Sequence, residues 1–242
     1  MRHRVLSLLF LLVLSACAGN MVSAPELKYG GLNGDVSMTK ETCYRAVEKF
    51  GEPVPTDLSE VIITEFDVDG HQIKYCQYDE DGDFIFKAEN TFEKGLVVSE
   101  SHELFFKEGK YTRSVVERKK NYIKWQEHEI DGEESFTEFF YNGLHLTIKD
   151  EEGEVTTEMD YDKTGHVVEQ TNYKDGKVTF RILREFDKKG NMIKMVQYRD
   201  GVNSETITYR YTEFDKKGNW TTQIVNKEGK LESIVKREIT YR

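Results

Sequence analysis

Tyr161-Asp162-Lys163-Thr164-Gly165-His166, Phe186-Asp187-Lys188-Lys189-Gly190-Asn191 and Phe214-Asp215-Lys216-Lys217-Gly218-Asn219 are three copies of one unit. Two further copies stand earlier in the chain, Phe66-Asp67-Val68-Asp69-Gly70-His71 and Tyr78-Asp79-Glu80-Asp81-Gly82. Each part of the unit has a local physical reason. The Asp carboxylate accepts backbone N–H groups two residues on and so opens a type I turn. Gly in the fourth place after the aromatic supplies the left-handed conformation that returns the chain to a sheet through a bulge. The aromatic closes the incoming strand and can pack across the hairpin. The unit therefore predicts a hairpin at Asp67, Asp79, Asp162, Asp187 and Asp215.

Shorter turn signals lie between the copies: Glu93-Lys94-Gly95, Lys107-Glu108-Gly109, Ile130-Asp131-Gly132, Asn142-Gly143, Glu151-Glu152-Gly153, Asp175-Gly176, Asp200-Gly201 and Lys227-Glu228-Gly229. Asn-Gly and Asp-Gly favour two-residue hairpin loops because both central residues need positive φ. No Pro follows Pro55, as strands with neighbours on both sides require. Alternation agrees: Val178, Phe180, Ile182 and Phe186 share one parity, and Leu231, Ser233, Val235, Ile239 and Tyr241 another. Trp220, Thr222 and Ile224 are expected on one face of their strand. The stretch 35–50 has helical propensity, but Val36, Met38, Thr42, Tyr44 and Ala46 share a parity, which favours a strand. These signals predict an all-β fold, an antiparallel β-meander of tandem hairpins forming an elongated, curved sheet over residues 35–242.

The tandem aromatic-Asp-x-x-Gly-Asn/His units resemble the YD repeats of Rhs-type proteins, clearly over about residues 155–242 and more faintly over 60–150. The stretch Gly31 to Pro53, with Gly34-Asp35-Val36 and Tyr44-Arg45-Ala46-Val47-Glu48-Lys49-Phe50-Gly51, is similar to the opening of small bacterial lipoproteins that carry such repeats. The resemblance implies a meander that curls into a shell or a curved sheet. The chain departs from the large Rhs toxins in having no toxin module after the repeats and in being too short for a closed cocoon, so encapsulation does not carry over.

The N-terminus reads as an address. Met1-Arg2-His3-Arg4 is basic, and Val5 to Leu14 is an apolar run shorter than the ~20 residues that span a bilayer. Leu14-Ser15-Ala16-Cys17 looks like the lipobox of bacterial lipoproteins. That resemblance implies a signal peptide over 1–16 and a lipidated Cys17, with 17–34 a Gly-, Asn- and Ser-containing tether. It also implies an anchor in the bacterial envelope, with Ala18 pointing to the outer membrane and a periplasm-facing domain. Stable anchoring takes more than one acyl chain, each buried methylene contributing ~0.8 kcal/mol.

Composition narrows the function classes. Charged residues make up 32% and the net charge is −10, which argues against nucleic acid and against polybasic contact with anionic lipid. With 13 Tyr and 14 Phe, disorder is excluded as well. Cys43 and Cys76 can pair outside the cytoplasm, but spacing alone does not establish it, and two small buried hydrophobes are the favoured reading. Asp79-Glu80-Asp81-Gly82-Asp83 fails as an EF-hand loop, since Phe84 and Asn90 fall where Gly and Glu belong. No two His stand at zinc spacing, and no Gly-x-Ser-x-Gly elbow or phosphate loop occurs. His71 and His166 read as surface turn positions.

No catalytic residue, cofactor or metal is expected. The aromatic surplus leaves Trp125 and Trp220 as candidate binding side chains. The reading is a membrane-anchored, non-enzymatic binding or scaffold module for envelope protein or polysaccharide. The alternatives are a lipid or lipoprotein carrier and an immunity protein against a contact-delivered toxin.

Overall fold

The computed structural model describes residues 32–105 and 107–242, all of them in strands and the turns that join them. The strands are β1 (Val36–Lys49), β2 (Glu52–Phe66), β3 (Gln72–Asp79), β4 (Phe84–Glu93), β5 (Leu96–Leu104), β6 (Lys107–Lys119), β7 (Tyr122–His128) and β8 (Glu134–Asn142). There follow β9 (His145–Lys149), β10 (Val155–Tyr161), β11 (Val167–Lys174), β12 (Lys177–Phe186), β13 (Met192–Arg199), β14 (Val202–Phe214), β15 (Trp220–Lys227) and β16 (Lys230–Tyr241). Each strand pairs antiparallel with the next, and β16 pairs with β1, so the meander closes into a barrel. The expected curvature thus runs to full closure, which removes both sheet edges. The stretch at 35–50 is a strand, as its parity predicts.

The turns form as their chemistry dictates. In the Asp162 loop, the carboxylate accepts the Thr164 N–H at 2.8 Å and the His166 N–H at 3.0 Å, and Gly165 N donates to the Asp162 carbonyl. Asp67, Asp79, Asp187 and Asp215 repeat the pattern. Gly70, Gly82, Gly165, Gly190 and Gly218 all take positive φ. Two turns read as shorter prove to be the same loop: Glu129 to Glu133 and Asp150 to Glu154. They escaped the pattern because no aromatic precedes them. At Asp175-Gly176 and Asp200-Gly201 both residues take positive φ, the two-residue loop expected of Asp-Gly.

Directly opposed residues in an antiparallel pair share a face. Following such pairs around the barrel gives one continuous face: Thr39 opposes Thr64, Tyr75 opposes Ala88, His102 opposes Tyr111, and Met159 opposes Gln170. This face is the interior, for its side chains are almost wholly buried. Ile182 is 0% exposed, Thr39, Ala88 and Thr157 are 1%, and Glu100 and His102 are 4%. Its apolar part gathers on β5 and β7 to β11, with Val97, Ile123, Trp125, Phe139, Leu146, Ile148, Met159, Tyr161 and Val167 in one cluster. Burying a side chain such as Ile or Phe contributes about 1.5–3 kcal/mol.

The opposite face carries ion pairs between neighbouring strands. Lys74 meets Glu65 at 2.8 Å, Lys124 meets Glu138 at 3.4 Å, Arg181 meets Glu169 at 2.7 Å and Lys194 meets Glu185 at 2.9 Å. It holds some apolar groups too, and Cys76, Ile224 and Ile234 are buried there among their neighbours. Cys43 faces the interior and Cys76 the outside. Both are free thiols, and the sheet between them rules out a bridge.

Candidate functional site

The closing seam explains how the first and last strands find each other. Glu41 on β1 opposes Arg237 on β16, and the guanidinium donates twice to Glu41 Oε1, at 2.9 and 2.6 Å. The same guanidinium lies 3.3 Å from the Trp220 ring centroid. At the rim, Asn33 N donates to Asn219 Oδ1 at 2.6 Å, and Asn219 Nδ2 donates to the Asn33 carbonyl and the Tyr241 hydroxyl. Tyr241 in turn donates to Asp215. The Asn that ends the last repeat is therefore the clasp of the barrel. Residues 32–34, the end of the expected tether, are held by it.

Trp125 and Trp220, proposed from the sequence as binding aromatics, do not reach the surface. Trp125 is 2% exposed and Trp220 9%, each covered by an interior arginine. The expectation that Trp220, Thr222 and Ile224 share a face also fails. A bulge where Phe214 meets Trp220 and Glu213 meets Thr222 turns Trp220 inward and leaves Thr222 outward, bonded to Glu213.

Of the histidines after the repeat glycines, His71 is buried and His166 is partly exposed. His71 is 3% exposed, bonds Asp67 through Nδ1 at 2.9 Å and stacks on Phe92 at 4.6 Å. His166 repeats this with Asp162 and Phe186. Asp67, Asp69 and His71 are close enough to share a metal ion. The His71 ring is already held by Asp67 and Phe92, so turn chemistry accounts for the group.

Buried polar residues cluster inside β5 to β7. Arg113 donates through Nε to Glu100 Oε2 at 2.9 Å and lies 4.5 Å over the Trp125 ring. Burial and then the Arg113 charge push the His102 imidazole down to about 3. Glu100 stands 3.8 Å from His102 Nε2, but its charge is taken up by Arg113. This ring is neutral at ordinary pH and stacks on Tyr111 at 5.4 Å.

On the outward face of the same wall lies a groove of about 710 Å³. One cross-strand row runs Glu65, Lys74, Glu89, Ser101, Thr112, His128 from β2 to β7, each residue opposing the next. A second row, Thr91, Ser99, Ser114, lies beside it on β4 to β6. Short hydroxyl side chains therefore form the floor and long charged ones the rim. Lys110 bridges to Glu89 at 3.6 Å and Lys74 to Glu65 at 2.8 Å. The groove offers hydrogen bonds and little net charge. It was invisible to sequence reasoning because its residues come from six strands. Cys17, expected from the sequence to be lipidated, lies with the rest of residues 1–31 outside the described residues.

The class that these features define is a closed up-and-down β-barrel with a filled interior and a charged outer wall. Among solved structures the chain is similar to a porin-like protein from Bacteroides uniformis ATCC 8492, with a TM-score of 0.50 and 12% identity over 86% of this chain and 98% of that one. A porin-like protein from Bacteroides vulgatus ATCC 8482 matches with a TM-score of 0.43 and 13% identity, over 87% and 99%. At 12% identity the first likeness is one of fold alone. No protein-family model and no curated protein sequence matches the chain.

Proposed function

We propose that this protein is a lipid-anchored β-barrel of the bacterial envelope that stands in water beside its membrane and acts as a non-enzymatic binding module. The observation that carries this reading is the outer wall. Lipid-facing barrels present an apolar band about 25 Å tall, and a Lys or Arg at mid-bilayer costs about 2–4 kcal/mol. Here β3, β4, β7, β8 and β10 to β13 place Lys74, Glu89, Lys124, Glu138, Glu158, Glu169, Arg181 and Lys194 outward, all but Glu89 paired with a residue of a neighbouring strand. No helix among the described residues is long and apolar enough to cross a membrane. Attachment then falls to Cys17, whose lipobox-like setting supplies the acyl anchor, and the YD-like repeats supply the barrel.

The polar groove on β2 to β7 is the surface we assign to ligand, with protein or polysaccharide as the class that its hydroxyl floor and paired charges suit. A lipid carrier would need a contiguous apolar concavity instead. Fractionation of cells producing the full chain and its Cys17→Ala variant tests the anchor. The wild type is expected with membranes and the variant in the detergent-free aqueous fraction. A variant that stays in membranes after alkaline extraction would show that the barrel itself is inserted.

A further inference from the structure

Two interior arginines differ from the other buried charges. Arg113 has Glu100 and Arg237 has Glu41. Arg184 on β12 is 7% exposed and has no carboxylate partner among the described residues. Its Nη2 donates to Gln170 Oε1 at 3.3 Å, and its Nη1 is enclosed without a hydrogen-bond partner. Arg118 on β6 is only half-buried: Nη2 donates to the Val97 carbonyl at 2.6 Å, and Nη1 has no hydrogen-bond partner among the described residues.

The ionisable groups around them are phenols. Tyr161 and Tyr209 face Arg184, Tyr141 faces Arg118, and Tyr141 and Tyr161 face each other. Burial pushes the Tyr141 and Tyr161 hydroxyls well above the usual phenol range, so both stay protonated. The Tyr161 hydroxyl meets only the Met159 sulfur, at 3.8 Å. Gln170 Oε1 is engaged by Arg184, and Gln170 Nε2 by Asn172. Around Arg184, then, the described residues supply donors and a positive charge with no carboxylate bonded to it. β6, β8, β10 and β12 run in the same direction, so Arg118, Tyr141, Tyr161 and Arg184 all lie close to one rim of the barrel, the rim of the Asp162 and Asp187 turns.

We infer that this end of the interior binds an oxyanion, a carboxylate or a phosphoryl group, held by Arg184 with the Tyr161 hydroxyl as a further donor. A buried guanidinium without a partner costs several kcal/mol. The protein cannot relieve that cost by deprotonation: burial brings Arg184 down to about 10, still charged at neutral pH. An acceptor-only ligand satisfies the open Arg184 nitrogen and the Tyr161 hydroxyl together. The inference is independent of the anchor and of the outer groove.

The test uses the full chain in denaturant titrations at fixed ionic strength, with chloride replaced by inorganic phosphate in one arm and by acetate in the other. A bound anion raises the folded-to-unfolded ratio about a hundredfold when its concentration reaches ~100 times its Kd. Salting-out by phosphate acts on every variant, so the reading is the difference between wild type and Arg184→Met. The methionine variant is expected to fold in chloride at least as well as wild type, since it removes an unpaired buried charge, and to lose the anion-specific gain. Tyr161→Phe should weaken the gain while leaving the chloride value nearly unchanged, and it serves if the methionine variant does not fold. A gain with either anion supports the site, and the stronger arm distinguishes phosphoryl from carboxylate. Equal gains in wild type and in both variants, or none in wild type, overturn it.

Discussion

Replacing Glu41 by Gln removes the acid from the one buried ion pair that joins the first strand to the last. Arg237 would keep its charge at a position where its side chain is 6% exposed. It would then retain only the face of Trp220, 3.3 Å away, and weaker bonds to the amide. Breaking a buried pair from one side costs about 3–5 kcal/mol. Domains of this size have ~5–15 kcal/mol in all, so the single variant should lose about a fifth of its stability or more. Arg237→Met alone should be costly for the mirror reason, with Glu41 left 17% exposed and unpaired. The double variant, Glu41→Gln with Arg237→Met, replaces both charges and should recover most of the loss. Urea unfolding followed by far-UV dichroism gives the four stabilities, and the cycle should return a coupling of about 2–4 kcal/mol. A coupling below ~0.5 kcal/mol, the value of a surface pair, would refute the claim that this contact clamps the seam.

Two further predictions follow from protonation. Burial alone would raise the Asp162 carboxyl, but hydrogen bonds from Thr164 and His166 outweigh it and hold the group down at about 2. Its contribution is complete above the ordinary value near 4 and is lost as pH falls toward 2. Allowing for solvent screening this is about 1 kcal/mol, and Asp162→Asn should flatten that part of the stability–pH curve. His102 works at higher pH. Its folded form resists protonation down to about 3, so stability should fall as pH drops below the unfolded value near 6.5; His102→Phe should remove that slope between pH 6.5 and 4.

What the sequence made legible is what local chemistry decides. Asp162, Gly165 and their counterparts specify a turn within a few residues, and every such turn is present. The strand at 36–49 could be read from parity for the same reason. Closure could not be read, because it depends on Glu41 meeting Arg237 and Asn33 meeting Asn219 across most of the chain. Bulges were the second obstacle: one extra residue beside Trp220 inverts the face that alternation assigns. Arg118 and Arg184 looked like ordinary strand cations, since nothing in their neighbours along the chain reveals that no acid stands opposite. The groove on β2 to β7 and the buried His71 share this origin, as both exist only once strands are paired.

The account rests on which side of the sheet meets water. Single spin labels at positions 74, 138, 169 and 194, in a full-length lipidated chain with Cys43 and Cys76 replaced by Ser and bound to vesicles, read this directly. The account predicts that all four labels relax with a water-soluble paramagnetic reagent and that none shows the oxygen-rich signature of hydrocarbon. A belt of labels accessible to oxygen and shielded from the aqueous reagent would contradict it.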